Sequence, residues 1–300
     1  MSIALPASAG HGQLVAPRKI GLMAGWGRYP IIVAETLRQA GCEVHCVCLK
    51  DHADPQLSSI CNSTIWIGMA KVGKAIRYFR RHGVTDATMA GKIHKVRFFQ
   101  PWVWFKHLPD WRAIKRFYPH FFLSRADRKD DTLLTALIEE FAVDGIRFAP
   151  ATDYVPELLA KPGQLTRRAP SHGQWKDIEF GWSIAREMGR LDIGQSVAIN
   201  RRVTIAVEAI EGTDECIRRA GQLCRAGGFT VVKVAKPQQD MRFDVPTIGV
   251  GTLQTMVDAG ASVLAVEAGR TIVLDEAETV RFADEHGLTI VVLDSLGKLP

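Results

Sequence analysis

The sequence predicts an α/β fold divided between two domains. Short apolar strands alternate with amphipathic helices along the chain, which is typical of a sheet covered by helices. A stretch spaced with proline and glycine between Pro150 and Pro170 interrupts this alternation, which then starts again. The length of 300 residues exceeds one average domain, and 47% hydrophobic residues are ample for buried cores. We therefore expect a first domain over residues 18–150, a linker over 151–170 and a second domain over 171–300.

The first half begins with a β-α-β pattern in which residues 25–30 form the turn between strand and helix. Gly41 ends the first helix, as glycine often does after the last helical turn. This alternation favours a parallel sheet. In order, the predicted elements are a strand over 19–24, a helix over 31–39, strands over 43–49 and 65–67, a helix over 71–82, a strand over 87–91 and a helix over 132–142.

The second half predicts further strands and helices, with no repeat of the first half. His172 is interpreted as a lone loop histidine. In order, the predicted elements are a helix over 177–188, strands over 197–199 and 203–209, a helix over 214–226, a strand over 230–235, a pair of strands over 263–267 and 271–274, a helix over 276–286 and a strand over 289–293.

Charge and cysteine content set broad limits on function. The formal net charge of +6 fits an anionic partner such as nucleic acid, a phosphorylated metabolite or an acidic membrane face, or a solubilising surface. The six cysteines include no CxxC pair, so Cys46 and Cys48 are interpreted as core residues in a reduced compartment. The first 17 residues lack the pattern of a signal peptide, and no apolar run is long enough to cross a bilayer. We expect a soluble or peripherally attached protein.

The turn Gly25-x-Gly27-x-x-Pro30 follows a strand and opens a helix. Glycines let backbone N–H groups approach a phosphate, and a helix N-terminus favours negative charge. The third glycine of a dinucleotide fingerprint is missing, although Asp51 after the second strand could bind a ribose hydroxyl. The turn therefore indicates either a phosphate or nucleotide contact or a tight connection alone.

Three carboxylates lie close together at a predicted strand end and helix start. Glu208, Glu211 and Asp214 could face a hard cation, because magnesium prefers oxygen ligands. Thr213 or Asp214 could equally cap the helix that follows. The spacing leaves both interpretations open. The preceding segment from Leu191 to Ser196 indicates only a turn.

The segment from Lys233 to Pro246 follows a buried strand and carries the strongest functional signal. Two prolines stiffen it, and cations at Lys236 and Arg242 alternate with anions at Asp240 and Asp244. Carboxylates can hold a metal or a water, while lysine and arginine offset the charge of a transferring phosphoryl group. The pattern favours phosphoryl chemistry over a purely structural loop.

Residues 94–125 contain ten aromatic residues interleaved with basic ones. Nucleic-acid bases could stack on them over a basic groove. The segment could instead rest on anionic lipid. The aromatic rings could also be core, with lysine and arginine stems packed along them. The pattern alone does not choose among the three.

Several motifs resemble those of the LpxI family, in family order over residues 18–295. The most specific are Ala206-Val207-Glu208-Ala209-Ile210-Glu211-Gly212-Thr213-Asp214 and Lys236-Pro237-x-Gln239-Asp240-x-Arg242-x-Asp244-x-Pro246. The others are the turn at residues 24–30, Gly91-Lys92, Asp130-Asp131 with Leu133-Leu134, Leu191-Asp192-Ile193-Gly194-Gln195, and Glu267-Ala268-Gly269.

This resemblance implies a cytoplasmic hydrolase of lipid A biosynthesis that cleaves the pyrophosphate of UDP-2,3-diacylglucosamine to lipid X and UMP. It implies an N-terminal Rossmann-like domain, a C-terminal catalytic α/β domain and an active site between them. It further implies Mg²⁺ or another divalent cation, a homodimer, peripheral contact with the inner membrane and no role for nucleic acid. The density of aromatics over residues 94–125 is a departure, and we hypothesise that it holds acyl chains or rests on the membrane.

Site residues follow from the resemblance. Asp240 is the essential aspartate, as metal ligand or base, and Lys236 and Arg242 neutralise phosphate charge. The metal shell would come from Asp244, Glu208, Glu211 and Asp214. The substrate cleft would be lined by Gly25, Gly27, Lys92, Gln195, Gly212, Thr213 and Gln239.

Two other functions stay open at this point. A nucleotide-sugar or dinucleotide oxidoreductase built on the first domain would bind NAD(P)H and would have no use for the Asp240 loop. A non-enzymatic nucleotide- or lipid-binding regulator would bind tightly without turnover.

Overall fold

The computed structural model of the protein describes residues 19–92, 110–115 and 130–299. It contains a five-stranded sheet in the first half and a six-stranded sheet in the second, both covered by helices. The predicted α/β class with two domains is confirmed. No helix within the described ranges combines the length and apolar composition needed to cross a membrane.

The first sheet is parallel throughout and has the strand order β3-β2-β1-β4-β5. Because the order reverses between β1 and β4, the carboxyl ends of these two strands flank the point where α/β sheets usually bind ligands. The strands are β1 (Lys19–Ala24), β2 (Glu43–Leu49), β3 (Ser63–Ile67), β4 (Asp86–Ala90) and β5 (Arg147–Phe148). The helices are α1 (Tyr29–Gln39), α2 (Leu57–Ile60), α3 (Val72–Arg81), α4 (Asp130–Val143) and α5 (Ala151–Tyr154).

At this switch point, the loops after β1 and β4 are joined directly to each other. The amide of Gly25 donates to the carbonyl of Ala90 over 2.8 Å, and Trp26 and Lys92 exchange two backbone hydrogen bonds of 2.8 and 2.9 Å. A Cβ on Gly25 would lie 2.8 Å from the carbonyl oxygen of Lys92. Only glycine permits this approach. The glycine turn thus joins the loops after β1 and β4, a contact that the sequence did not predict.

Replacing Gly91 by alanine tests this packing. Gly91 has φ +94°, and an added Cβ would lie 2.7 Å from Pro30 Cγ and 2.8 Å from the backbone of Gly25. We expect Gly91→Ala to lower the free energy of unfolding by about 3 kcal/mol, measured by urea denaturation, because backbone strain and steric overlap add. Gly145→Ala is the matched control, since Gly145 has φ +77° and open space around its Cβ position. Equal losses in the two variants would contradict the packing argument.

The second sheet has the strand order β6-β13-β11-β9-β7-β8, and its three central strands β13, β11 and β9 are parallel. Strand β7 is antiparallel to both β9 and β8. The strands are β6 (Gly163–Gln164), β7 (Ser196–Asn200), β8 (Val203–Val207), β9 (Phe229–Lys233), β11 (Ala261–Glu267) and β13 (Thr289–Leu293), and a separate parallel pair is formed by β10 (Thr247–Ile248) and β12 (Ile272–Val273). The helices are α6 (His172–Arg190), α7 (Thr213–Leu223), α8 (Val250–Ala259) and α9 (Glu276–Glu285).

Three local expectations were wrong. Helix α8 was not predicted at all, since its apolar residues are spread over a short span between two glycines. The strand over 271–274 was expected to pair with 263–267, but β12 pairs with β10 instead. His172 is the first residue of α6, because Ser171 and Gln174 form a reciprocal capping box that starts the helix there.

The two faces of the second sheet are covered by different helices. Val232 packs with Ile178 and Trp182 of α6. On the other face, Val231 packs in a cluster with residues of α7 and α8. Because successive side chains of a strand point to opposite faces, Lys233 at the end of β9 lies on the α7 side. This placement is central to the site described below.

Contacts join the two domains near the carboxyl edges of their sheets. Phe243 packs against the core cluster of the first domain that contains Val47 and Ile67. Arg28, beside α1, forms an ion pair with Asp275, at 3.1 Å between Nε and Oδ2. Within the predicted linker, residues 163–164 pair with β13. The loop that carries Asp240 thus reaches the first domain.

Candidate active site

One edge of the second sheet collects polar and charged residues. The carboxyl ends of the parallel strands β9 and β11 lie at this edge, and they end at Lys233 and Glu267. Strand β7 begins at the same edge with Ser196, which pairs with Lys233, and the amide of Glu208 donates to the Ser196 carbonyl at 2.9 Å. The edge therefore brings together residues that are far apart in the chain.

Lys233 is the most unusual residue at this edge. Its side chain is buried, with 5% of the residue exposed, and Nζ donates to the carbonyl of Thr247 over 3.0 Å. Burial lowers the pKa of the Lys233 ammonium, and the neighbouring ammonium of Lys92 lowers it further, while the carboxylates of Glu208, Asp214 and Asp244 raise it. Lys92 belongs to the loop after β4 of the first domain. Charged groups of both domains therefore act electrostatically on Lys233.

Glu208 is a buried carboxylate held by hydroxyl groups. It accepts a hydrogen bond from Thr213 Oγ1 at 3.1 Å, and Thr213 Oγ1 lies 3.3 Å from Ser196 Oγ. A Cβ on Gly194 would collide with the Glu208 carbonyl, so Gly194 lets the turn before β7 pack against this residue. Asp214 lies in the first turn of α7, where the helix dipole favours negative charge.

The loop over residues 236–246 is fixed at its start by several hydrogen bonds. Glu267, almost fully buried, accepts from the amide of Ala235 at 3.0 Å and forms an ion pair with Arg186 at 2.9 Å. The amide of Lys236 donates to Gln239 Oε1 at 2.9 Å. Lys236 Nζ lies 2.8 Å from Asp192 Oδ1, which ties the loop to the turn before β7. A loop held this way can present side chains in fixed positions.

Asp240 and Arg242 form a local pair within this loop. The guanidinium Nε of Arg242 donates to both carboxylate oxygens of Asp240, at 2.9 and 3.0 Å, and the amide of Arg242 also donates to Oδ1. The guanidinium of Arg242 lowers the pKa of Asp240 below its ordinary value, against the opposing effect of burial. Asp240 is therefore an ionised carboxylate at neutral pH, and Arg242 is its counter-charge.

The structure separates the predicted site residues into groups. Glu208, Asp214, Asp244 and Lys92 act electrostatically on Lys233, whereas Glu211 forms an ion pair with Arg219 and accepts from the amide of Ala209. Gln239 Nε2 lies 3.4 Å from Gln195 Oε1. Gly25 lies in the junction between the loops after β1 and β4, and Gly27 has open space around its Cβ position. Gly212 is the N-cap of α7, and Thr213 is the first residue of that helix and donates to Glu208.

The predicted magnesium ligands do not form a preassembled site. Among the residues that the structure describes, no group of three or more histidine, cysteine or acidic side chains is arranged to hold a metal. Magnesium is commonly bound by one or two carboxylates together with substrate phosphates and water. A magnesium ion at this edge would therefore need phosphate and water oxygens as part of its ligands.

Sequence reasoning missed Lys233 and Asp192. Lysine is almost never fully buried unless it is paired. Its occurrence at the end of the apolar strand Phe229–Lys233 was the available signal. Asp192 was interpreted as part of a turn, and its ion pair with Lys236 joins two segments 44 residues apart that no local pattern relates.

The fold and the site define a two-domain α/β protein. Its charged loop over residues 236–246, which begins and ends near a proline, lies at the sheet edge that contacts the first domain. Sequence models of the LpxI N-terminal domain and the LpxI C-terminal domain match residues 19–158 and 161–291. The chain belongs to the LpxI family, which confirms the resemblance found in its motifs. It is 33% identical over 284 residues to the UDP-2,3-diacylglucosamine pyrophosphatase LpxI of Caulobacter vibrioides, covering 92% of this chain and 98% of that protein.

Proposed function

We propose that this chain, a hydrolase of the LpxI family, cleaves the pyrophosphate of UDP-2,3-diacylglucosamine to lipid X and UMP. A water oxygen forms a bond to phosphorus, the P–O–P anhydride bond breaks, and both products leave as phosphates. The observation that carries the proposal is the match to both LpxI domains along almost the whole chain. The charged loop over residues 236–246, fixed beside the first domain, supports it independently.

The loop residues suit separate tasks in this reaction. General-base catalysis is most efficient when the pKa of the base lies near the working pH. The pKa of Asp240 is lowered, so this carboxylate is a weak proton acceptor at neutral pH and a good hydrogen-bond acceptor for a water. We assign Asp240 the task of orienting the attacking water. Lys236 and Arg242 would offset the negative charge of the pyrophosphate.

Metal dependence is part of the proposal. Asp244, Glu208 and Asp214 are carboxylates that act electrostatically on Lys233, and we propose that they hold magnesium together with phosphate oxygens. When bound, the cation would neutralise charge on the phosphoryl group and polarise its oxygens. Glu211 is the least suited of the predicted metal ligands, because its carboxylate forms an ion pair with Arg219.

The oxidoreductase alternative is disfavoured by the junction at the switch point. Dinucleotides bind α/β sheets in the crevice outside the strand ends where the order reverses. Here a backbone bridge between Trp26 and Lys92 joins the loops on the two sides of that crevice. A crevice closed in this way counts against hydride transfer at the first domain.

We also propose a cytoplasmic location, a homodimer and peripheral contact with the inner membrane through residues 94–125, since a diacylated substrate lies in a bilayer. Trp102 and Trp104 lie outside the described residues. Trp111 lies in the described helical turn over 111–115 and is 77% exposed. An exposed tryptophan next to cations suits an interfacial position on anionic lipid.

The proposed homodimer is tested by light scattering. We expect the mass of two chains in solution, and the mass of one chain would contradict the proposal.

Replacing Trp102, Trp104 and Trp111 together by serine tests the membrane contact. We expect at least 10-fold weaker binding to anionic liposomes in sedimentation assays, because each buried indole contributes on the order of 2 kcal/mol. Val143→Ser is the matched control, since Val143 is 79% exposed outside the segment. Unchanged liposome binding by the triple variant would refute this part of the proposal.

The function itself is tested by incubating UDP-2,3-diacylglucosamine with the purified protein and magnesium. We expect UMP and lipid X in equal amounts, and loss of both when EDTA removes the metal. Release of UMP in EDTA would exclude the metal dependence but not the hydrolysis. Tight binding of NAD(P)H without release of UMP would favour the oxidoreductase alternative.

A further inference from the structure

Lys233 is a buried charge for which the proposed reaction has so far assigned no task. Its residue is 5% exposed, and its hydrogen bond to the Thr247 carbonyl is 3.0 Å long. Burying an ammonium is costly unless opposite charges and hydrogen bonds compensate it. An aliphatic residue would satisfy the apolar strand Phe229–Lys233 at lower cost, so the charge calls for an explanation.

The surroundings of Lys233 provide one. Glu208, Asp214 and Asp244 come from three different segments, the turn after β8, the start of α7 and the loop over 236–246, and they raise the pKa of the ammonium against the effect of burial. The direct contact of the ammonium is its hydrogen bond to the Thr247 carbonyl. This bond offsets part of the cost of burial and fixes the position of Thr247.

The bond to Thr247 extends this effect to the Asp240 loop. Thr247 begins β10 directly after Pro246, which ends the loop, and Glu267 holds the start of the loop through the Ala235 amide. Lys233 therefore holds the far end of the loop in the same way that Glu267 holds its start. Both residues lie on adjacent strands of the sheet, with Lys233 paired to Val266.

We propose that Lys233 is a positioning residue of the hydrolysis, whose buried ammonium fixes the end of the Asp240 loop through the Thr247 carbonyl. This inference rests on the proposed function. Lys233 acts through the loop. Its removal should therefore impair turnover more than substrate binding.

The expected result for Lys233→Met is a kcat about 30-fold to 100-fold lower, with KM changed less than 3-fold. Lys176→Met is the matched control, since Lys176 is exposed on α6 and should keep wild-type kinetics. A kcat within 3-fold of the wild type, or a loss confined to KM, would overturn the proposal.

Lys233→Arg is measured in parallel, because it keeps the buried charge if Lys233→Met fails to fold. We expect this variant to have a kcat about 10-fold lower than the wild type and an unchanged KM. Wild-type kcat in Lys233→Arg, when Lys233→Met does not fold, would also overturn the proposal.

A double-mutant cycle with Asp240→Asn separates positioning of the loop from an independent effect. If Lys233 acts through the Asp240 loop, adding Lys233→Met to Asp240→Asn should lower kcat by less than about 3-fold. Losses that multiply fully would overturn the proposal. Absence of turnover by the wild type would refute the proposed function, whereas fully multiplying losses in an active enzyme would refute the Lys233 arrangement by itself.

Discussion

Asp240→Asn is expected to lower kcat by about 10³-fold while leaving the fold intact, because removing one preorganised group that positions the reacting water costs about 10² to 10³ in rate. The carboxylate is ionised at neutral pH and held by Arg242, and asparagine keeps its size but removes its charge. The measurement is UMP release under saturating substrate, with circular dichroism to verify folding. We expect KM to change less than kcat, since the loss is largest in the transition state.

Asp153→Asn is the control for this experiment. Asp153 is an exposed aspartate in α5 of the first domain, outside the loop that carries Asp240. It should keep wild-type activity. Undiminished UMP release by Asp240→Asn would contradict the assignment of this loop as the active site.

Arg242→Met is expected to lower kcat by about 10²-fold and to change its pH dependence. Arg242 lowers the pKa of Asp240, so the carboxylate of the wild type stays ionised until the pH falls well into the acidic range. Without Arg242 the pKa of Asp240 rises toward its ordinary value. Activity should then be lost at a higher pH on the acidic side, as measured by the pH profile of kcat/KM.

The pH dependence of the free energy of unfolding should shift in the same direction as that of the activity. A carboxyl group whose pKa is lowered by folding stabilises the folded state above its unfolded pKa, and this contribution is lost as the pH falls through the folded pKa. The free energy of unfolding of Arg242→Met should therefore begin to fall at a higher pH than that of the wild type, because the pKa of Asp240 in the folded variant is closer to its unfolded value. Arg242→Lys keeps the charge without the forked contact and should give a smaller shift. If the wild type, Arg242→Met and Arg242→Lys all lose activity and stability at the same acidic pH, the assigned role of the Asp240–Arg242 pair is contradicted.

The regular elements of the fold were largely predictable from local pattern. Strand β2 over Glu43–Leu49 and strand β13 over Thr289–Leu293 were predicted with their observed bounds, because buried strands read as short apolar runs between turn residues. Pairing was less predictable, since the partner of Ile272–Val273 is decided by tertiary packing and not by the local sequence. Helix α8 was missed because its apolar residues occupy only a short span between two glycines.

The candidate site was predicted in part for a similar reason. Asp240 and Arg242 are two residues apart, so their alternation of charge was visible in the sequence. The relation of Lys233 to Lys92, Glu208 and Asp244 depends on two sheet edges that approach each other. Local patterns carry no information on such contacts. The motifs of the LpxI family supplied the substrate class, which neither spacing nor composition could give.

The most direct test of the central claim is the product analysis of one reaction, that of the wild-type protein with UDP-2,3-diacylglucosamine and magnesium. We predict UMP and lipid X in a one-to-one ratio, at a rate that falls about 10³-fold in Asp240→Asn. Intact substrate after prolonged incubation with the folded wild-type protein would contradict the account, as would release of UMP at equal rates by both proteins.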